Sequence, residues 1–266
     1  MVMRVLYNAG DVPPEVSGEF EWAAAPWGLA LRCRALGAVG HGWTTRQLAL
    51  RGAADVERAG WNAIGQAVGL TSECVVRLSQ VHGAAVHVVT SKPGSVAEAD
   101  IAISDSSDHV VVVQVADCAP ILMADRAGHV VAASHAGWRG TAADVAGVTV
   151  RALTHRYSVS PASLTAAIGP CIGPCCYEVG EELVRAFAAV GWSETDSARW
   201  FIRRDGKLYL DIWRANADQL ERAGVAGDRI FVSRLCAACH PDWFHSYRRD
   251  GVGTGRLAGF IRPAPA

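Results

Sequence analysis

The chain has 266 residues, half of them apolar or aromatic and 19% charged, with a formal net charge of −1. This is the composition of a folded globular protein, and it excludes disorder and any global positive field that would recruit nucleic acid or an anionic membrane. No apolar run approaches the roughly 20 residues of a bilayer span, and the N-terminal stretch holds no continuous apolar segment, so a cytoplasmic chain with neither signal peptide nor membrane partner is expected.

No low-complexity linker, internal repeat or charge block divides the chain, and one domain spanning 1–266 is expected. In chain order, a helix is expected at 55–69 and strands at 75–81 and 85–90. HVVVVQVADC (109–118) is a β-branched run that reads as a buried strand. PILMAD (120–125) follows as a second strand, and the turn Asp125-Arg126-Ala127-Gly128 leads into a third, GHVVAASHAG (128–137). Gly140-Thr141 opens a helix to about Tyr157, with Thr141 as N-cap, Asp144 three residues on, and an apolar stripe of Val145, Val148, Ala152 and Leu153. A strand at 164–168, a helix at about 178–190, a strand at 208–210, a helix at 212–223 capped by Asp211, and a strand at 229–234 follow. Hairpins and helices mix without the regular rhythm of a doubly wound sheet, which predicts an α+β fold of mixed sheets covered by helices.

Three segments place a ligand-type side chain where a strand meets a Gly or Pro turn. They are Gln80-Val81-His82-Gly83, Ala116-Asp117-Cys118-Ala119-Pro120 and Ser134-His135-Ala136-Gly137-Trp138-Arg139-Gly140. Such positions project side chains into clefts, and the three converge if their strands are neighbours in one sheet. Two imidazoles and a thiolate suit a borderline-soft divalent ion such as zinc, and three protein ligands leave a position open, the catalytic pattern. Each residue alone has an ordinary alternative: a hydrogen-bonded strand-end His, or a Cys buried in an apolar run. The same three residues also suit a metal-free Cys–His nucleophile.

The chain has eight cysteines and no secretory signature, which argues against a disulfide framework. Cys171, Cys175 and Cys176 lack C-x2-C spacing and read as a Gly/Pro-shaped structural turn. Cys236-Ala-Ala-Cys239 has that spacing, with His240 and His245 beyond, but it has no partner knuckle and reads as structural thiols, with redox chemistry or partial metal binding as the alternative.

His82 in QVHG, Cys118 in ADCAPIL and His135 in SHAGWRG, in this order, resemble the YfiH family, whose members are also called laccase-domain or multicopper polyphenol oxidase proteins. HGWTTR (41–46), IGPCIGPCCYEVG (168–180), DIWRANADQL (211–220) and YRRDGVGTGRLAGFI (247–261) extend the resemblance over about 41–261. The resemblance implies mixed β-sheets forming a central sandwich flanked by helices. It implies one zinc ion held by His82, Cys118 and His135 at the catalytic centre. It also implies purine nucleoside chemistry: phosphorolysis of inosine, guanosine and adenosine, cleavage of methylthioadenosine, and deamination of adenosine. After Arg46 the chain departs from the family's Gly-Gly-Val-Ser pattern and runs QLALRGAADVERAGWNAIGQAVGL.

For the phosphate partner of such chemistry, Arg46 and Arg139 are the candidates. Guanidinium forks match phosphate oxygens, and Arg139 sits just before the expected helix N-terminus. His41 and Thr45 are candidates to line the substrate pocket. Arg248 and Arg249 are weaker candidates, since adjacent residues point apart. Asp117 reads either as a turn residue or as a group orienting a ligand imidazole. Trp43 and Trp138 are candidates to stack on a purine, with core packing as the alternative. Laccase-type copper clusters rest on His-x-His pairs, and none occurs in the chain, which places zinc ahead of copper and counts against a phenol oxidase. The alternative to nucleoside chemistry is a Cys–His hydrolase acting on a small amide or a peptidoglycan precursor.

Overall fold

Residues 12–16, 18–90 and 96–265 are described by a computed structural model. Two six-stranded sheets lie face to face. The first has the order β1 (Phe20–Ala25), β2 (Gly28–Cys33), β3 (Gly40–Thr44), β17 (Leu257–Arg262), β9 (Val110–Val115), β4 (Val75–Val76). The second runs β16 (Ile230–Val232), β12 (Leu164–Ile168), β10 (Ala119–Asp125), β11 (Val131–Ala136), β8 (Ile101–Ser104), β6 (Val86–Val88). A three-stranded sheet of β13 (Glu178–Val179), β15 (Lys207–Leu210) and β14 (Phe201–Arg204) and a parallel pair of β5 (Leu78–Ser79) with β7 (Ala97–Glu98) accompany them. Both large sheets are mixed: β4 with β9, β12 with β16, and β6 with β8 are parallel, among antiparallel neighbours.

The β-branched runs have two buried faces, so both sides of each sheet need cover. Along β9, Val111, Val113 and Val115 point between the sheets, while Val110 and Val112 point outward. On the second sheet, Leu122 and Ala124 of β10 and Val131 and Ala133 of β11 complete the layer between the sheets. Ile121, Met123 and Ala132 point the other way, toward helices. Helix α1 (Ala54–Ala67) covers the first sheet with Trp61 and Ile64. The second is covered by α3 (Val145–Tyr157), α4 (Glu181–Ala189), α5 (Glu194–Trp200) and α6 (Ile212–Arg222), with α2 (Trp138–Ala142) leading into α3. A short α7 (Tyr247–Asp250) lies near the C-terminus. The result is the expected α+β sandwich flanked by helices. No helix among the described residues is long and apolar enough to cross a membrane.

The expected strand 164–168 and the Asp211-capped helix stand as read, with Asp211 accepting from the Arg214 amide at 2.9 Å. Three expectations need correction. Thr141 is not an N-cap: it lies buried inside α2, and Asp144, at φ 59°, breaks the expected helix before α3 begins. Buried Asn216 and Gln219 of α6 bind the Thr141 hydroxyl and carbonyl, at 3.1 and 2.7 Å, so tertiary contacts claim the residue chosen for the cap. The run 75–81 divides into β4 and β5, which belong to different sheets. The helix expected from 178 starts at Glu181, because Glu178 and Val179 pair with β15 and Gly180 takes the cap position.

Candidate metal centre

The register of β10 and β11 builds the site. These strands pair Ala119 with Ala136 and Pro120 with His135, so Cys118, one step earlier, faces Gly137. Cys118 ends the crossing Ala116-Asp117-Cys118, which carries the chain from β9 in the first sheet to β10 in the second. Asp117 makes that turn at φ 86°, a conformation costly for a residue with a side chain. Its carboxylate accepts from the Arg248 amide at 2.6 Å, and its carbonyl accepts from the Ile172 amide at 2.9 Å.

His82 comes from the segment between β5 and β6, also with positive φ, at 61°. Asp100 holds it there. This carboxylate, fully buried, accepts from the amides of Val81, His82 and Gly83 at 3.3, 3.0 and 2.7 Å, and from His135 Nδ1 at 2.8 Å. Asp100 lies just before β8, whose Ile101 pairs with Ser134, so the sheet register delivers it to His135. One carboxylate thus fixes the backbone carrying His82 and commits Nδ1 of His135, turning Nε2 toward Cys118. The ligand atoms of His82, Cys118 and His135 lie within 4.8 Å of one another, with the two imidazoles 4.9 Å apart at 76°.

Electrostatics prepare the donors. Burial alone would raise the Asp100 carboxyl, but hydrogen bonds from His135 and the Gly83 and His82 amides hold it below the usual carboxylate range. Burial likewise raises the Cys118 thiol, but the His135 charge and hydrogen bonds from His135 and His82 outweigh it and bring the thiol down to about 6. For His135, burial opposes the charged form, while the Cys118 thiolate and Asp100 push it up to about 9. In the metal-free chain the shared proton therefore rests on the imidazole and the sulfur is a thiolate, the form that attacks an electrophile; a metal held by all three side chains would displace that proton from His135. Gly137 supplies the space: a β-carbon there would stand 2.9 Å from the Cys118 sulfur and 3.4 Å from the His82 ring. Two imidazoles, one thiolate, an oriented tautomer and a glycine cradle form a donor set that could hold a metal ion.

His82, Cys118 and His135 line a cavity of about 510 Å³, within the range of small-molecule sites. Gln80, Gln114, Asp117, Tyr177, Tyr247, Arg248 and Arg256 supply its other polar groups. The Gln80 amide is locked to the Gln114 backbone at 2.8 and 2.7 Å and serves as wall. Arg248 donates to the Glu178 carbonyl at 2.7 Å, and Arg256 to the Gly255 carbonyl at 3.0 Å. Neither guanidinium forms a salt bridge among the described residues.

The structure gathers His82, Cys118 and His135 but does not bring Arg46, Arg139 or His41 to this cavity. Arg46 is exposed and reaches the Pro241 carbonyl. Arg139 is exposed and stacks on Trp138 at 4.4 Å, and Trp138 lines a smaller adjacent cleft that shares Tyr177 and Arg248 with the larger one. His41 is buried in β3, with Nε2 accepting from the Cys33 amide at 3.1 Å and Nδ1 donating to the Val39 carbonyl at 3.0 Å. Thr45 is also buried, and Trp43 packs between the sheets with its indole on the Pro120 carbonyl at 3.3 Å. Arg248 turns toward the cavity, while Arg249 turns away to grip the Ala237, Ala238 and Phe244 carbonyls. No residue of 47–70, the segment that departs from the family pattern, lines the cavity.

Reasoning from sequence missed Asp100 and Arg256. Asp100 had one local signal, a carboxylate directly before the apolar run Ile101–Ile103. The reading of the cysteines also needs correction. Cys175 and Cys176 lie against Cys236 and Cys239, with all four sulfurs within 4.8 Å of one another. The partner that the C-x2-C pair lacked in sequence is the adjacent Cys-Cys pair, supplied by folding.

Fold and centre together define a mixed α+β sandwich with a three-donor cluster at the point where the chain crosses between sheets. Over residues 52–264 the chain matches the family described as multi-copper polyphenol oxidoreductase laccase. It is 39% identical over 186 residues to the purine nucleoside phosphorylase YfiH of Escherichia coli strain K12, covering 70% of this chain and 72% of that protein. Adenosine deaminase RL5, from an unknown prokaryotic organism, is 38% identical over 149 residues, 55% of each chain. The crystal structure of YlmD from Geobacillus stearothermophilus matches with a TM-score of 0.83 at 30% identity, covering 93% of this chain and 99% of that one. The chain belongs to this laccase-domain, or YfiH, family.

Proposed function

We propose that this chain is a metal-dependent purine nucleoside enzyme, phosphorolysing inosine, guanosine, adenosine and methylthioadenosine and deaminating adenosine, with zinc held by His82, Cys118 and His135. The observation that carries this reading is the meeting of those three donors in the wall of a cavity of about 510 Å³ that also presents Arg248 and Arg256. The names of the relatives, a purine nucleoside phosphorylase and an adenosine deaminase, supply the substrate class. Zinc, when bound, supplies Lewis acidity at neutral pH.

The chain's own residues do the rest. Arg248 and Arg256 bind phosphate and hold it for attack on C1′ of the ribose, which breaks the bond to the base. Tyr247, exposed at the cavity wall, offers a ring face to the base. The Gln114 carboxamide and the Tyr177 phenol, protonated at neutral pH, offer hydrogen bonds to its polar edge. Asp100 keeps His135 in one tautomer throughout.

A second reading has its own observation: Cys118, His135 and Asp100 stand in the order of a thiolate, its imidazole and an orienting carboxylate, as in a Cys–His hydrolase. Chelation separates the two. The purified chain, with and without a zinc chelator, is incubated with adenosine and with inosine, each with and without phosphate. Phosphate-dependent hypoxanthine plus ribose-1-phosphate, or inosine from adenosine, lost on chelation and restored by zinc, is the expected result. Absence of nucleoside turnover in the zinc-loaded chain would overturn the proposal. Turnover that survives chelation but not thiol alkylation would favour the nucleophile.

A further inference from the structure

Four thiols outside the candidate centre are brought together by two turns distant in sequence. Cys239 Sγ lies 3.5 Å from Cys175 Sγ and 3.4 Å from Cys176 Sγ, and Cys236 completes a group within 4.8 Å. All four are unbridged. We propose that Cys175, Cys176, Cys236 and Cys239 bind a second zinc ion in a closed four-thiolate site that pins together two walls of the substrate cavity.

Size comes first. Zinc–sulfur bonds of about 2.3 Å place the corners of a tetrahedron about 3.8 Å apart. The separations of 3.5 and 3.4 Å lie just below that value, and the whole group fits within 4.8 Å. A cluster of several irons spreads its thiolates over different metal atoms, so a group this tight fits a single ion. Exposure argues against packing as the explanation. Cysteine packed as a small hydrophobe is buried, yet Cys175 and Cys239 are exposed beside partner sulfurs. Exposed thiols in contact are also prone to oxidation, which a bound ion prevents.

The surroundings suit a thiolate centre. The Gly173 amide donates to Cys236 Sγ at 3.3 Å. Binding releases four thiol protons and leaves a net charge of minus two from one zinc and four thiolates. Two guanidinium groups from β14 and α7 reach these turns; Arg249 is paired with Asp250, and Arg204 forms no salt bridge among the described residues. Arg204 donates to the Cys175 carbonyl at 3.3 Å, and Arg249 donates to the Ala237 and Ala238 carbonyls at 3.0 and 3.2 Å. With four protein sulfurs the ion has no open position, so its role is structural. One pair of ligands immediately precedes Tyr177, and the other precedes α7, which carries Tyr247 and Arg248. The ion therefore fixes residues of the cavity relative to one another.

The test uses the full chain carrying Cys118→Ser, which removes the thiolate of the first centre. After zinc loading and desalting, elemental analysis should find about one tightly held zinc per chain. Replacement by cobalt should give sulfur-to-cobalt charge-transfer bands and the strong visible absorption of a tetrahedral four-thiolate ion. Adding Cys239→His should keep the ion and weaken the charge-transfer bands, while adding Cys236→Ser should release it. A soluble Cys118→Ser chain without retained zinc would overturn the proposal, as would a Cys175–Cys239 or Cys176–Cys239 disulfide found by mass spectrometry in the freshly purified chain. If the Cys236→Ser chain is insoluble, the Cys118→Ser and Cys239→His spectra decide. None of these readouts depends on nucleoside turnover, so failure here leaves the proposed activity standing.

Discussion

Replacing Gly137 by alanine should weaken the metal centre while leaving the fold intact. Gly137 has φ −75° and ψ 175°, a conformation alanine adopts freely, so backbone strain does not enter. As N-cap of the short α2, the position loses about 1 kcal/mol or less when alanine replaces glycine. Space is the larger effect. The new methyl group would stand 2.9 Å from the Cys118 sulfur, and ordinary contact requires that sulfur to withdraw by about half an ångström. Metal–ligand distances tolerate only about 0.2 Å. Disturbing the support of a ligand in this way typically lowers affinity about 10- to 100-fold, equivalent to about 1.4–2.7 kcal/mol. The assay is competition for zinc against a chromophoric chelator, paired with thermal unfolding of the metal-free chain. The expected result is a large loss of affinity with a small shift in unfolding. An unchanged zinc affinity in a folded Gly137→Ala chain would refute the geometry.

Three further outcomes follow from named contacts. Asp100→Asn must turn an amide nitrogen toward two of the four donors, and each buried N–H left unpaired costs about 1–3 kcal/mol; denaturant unfolding should show this, and zinc affinity should fall about tenfold or more. Arg256→Ala should raise the KM for phosphate in inosine phosphorolysis about tenfold and spare adenosine deamination; equal loss in both reactions would count against phosphate binding. His41 is held neutral, its pKa lowered to about 4 by burial and kept from falling further by the bond it donates to the Val39 carbonyl. The unfolded chain gains this proton below about pH 6.5 and the folded chain does not until about pH 4, so stability should fall by about 3 kcal/mol across that window and be unaffected by this group above it. His41→Gln should remove that part of the pH dependence in a series of denaturant titrations.

The central strands β9, β10 and β12 were legible because they are runs of β-branched and apolar residues ended by turns, at 109–125 and 164–168. The N-terminal strands Phe20–Ala25 and Gly28–Cys33 carry charged residues on partly exposed faces and announce themselves less. Strands Ile101–Ser104 and Leu257–Arg262 became clear only with neighbours in place. The helix start at Thr141 failed because capping preference is worth about 1 kcal/mol, less than the buried contacts that α6 makes with the same residue.

His82, Cys118 and His135 could be picked out in the sequence because each sits at a strand end beside Gly or Pro, where a side chain enters a cleft. Their chemistry, two imidazoles and one thiol, is a property of residue type and needs no structure. Their partners are a different matter. Asp100 reaches His135 only through the pairing of β8 with β11, Cys118 faces Gly137 only through the register of β10 with β11, and Arg248 and Arg256 enter the cavity from segments more than 100 residues along the chain. The Cys175-Cys176 pair likewise meets Cys236 and Cys239 only when their turns are folded together. Local patterning sets which stretches become strands and which side chains carry reactive atoms, because those depend on neighbours within a few residues. Which atoms meet depends on sheet register and on the crossing between sheets, which are set by burial across the whole molecule, and that only the tertiary structure decides.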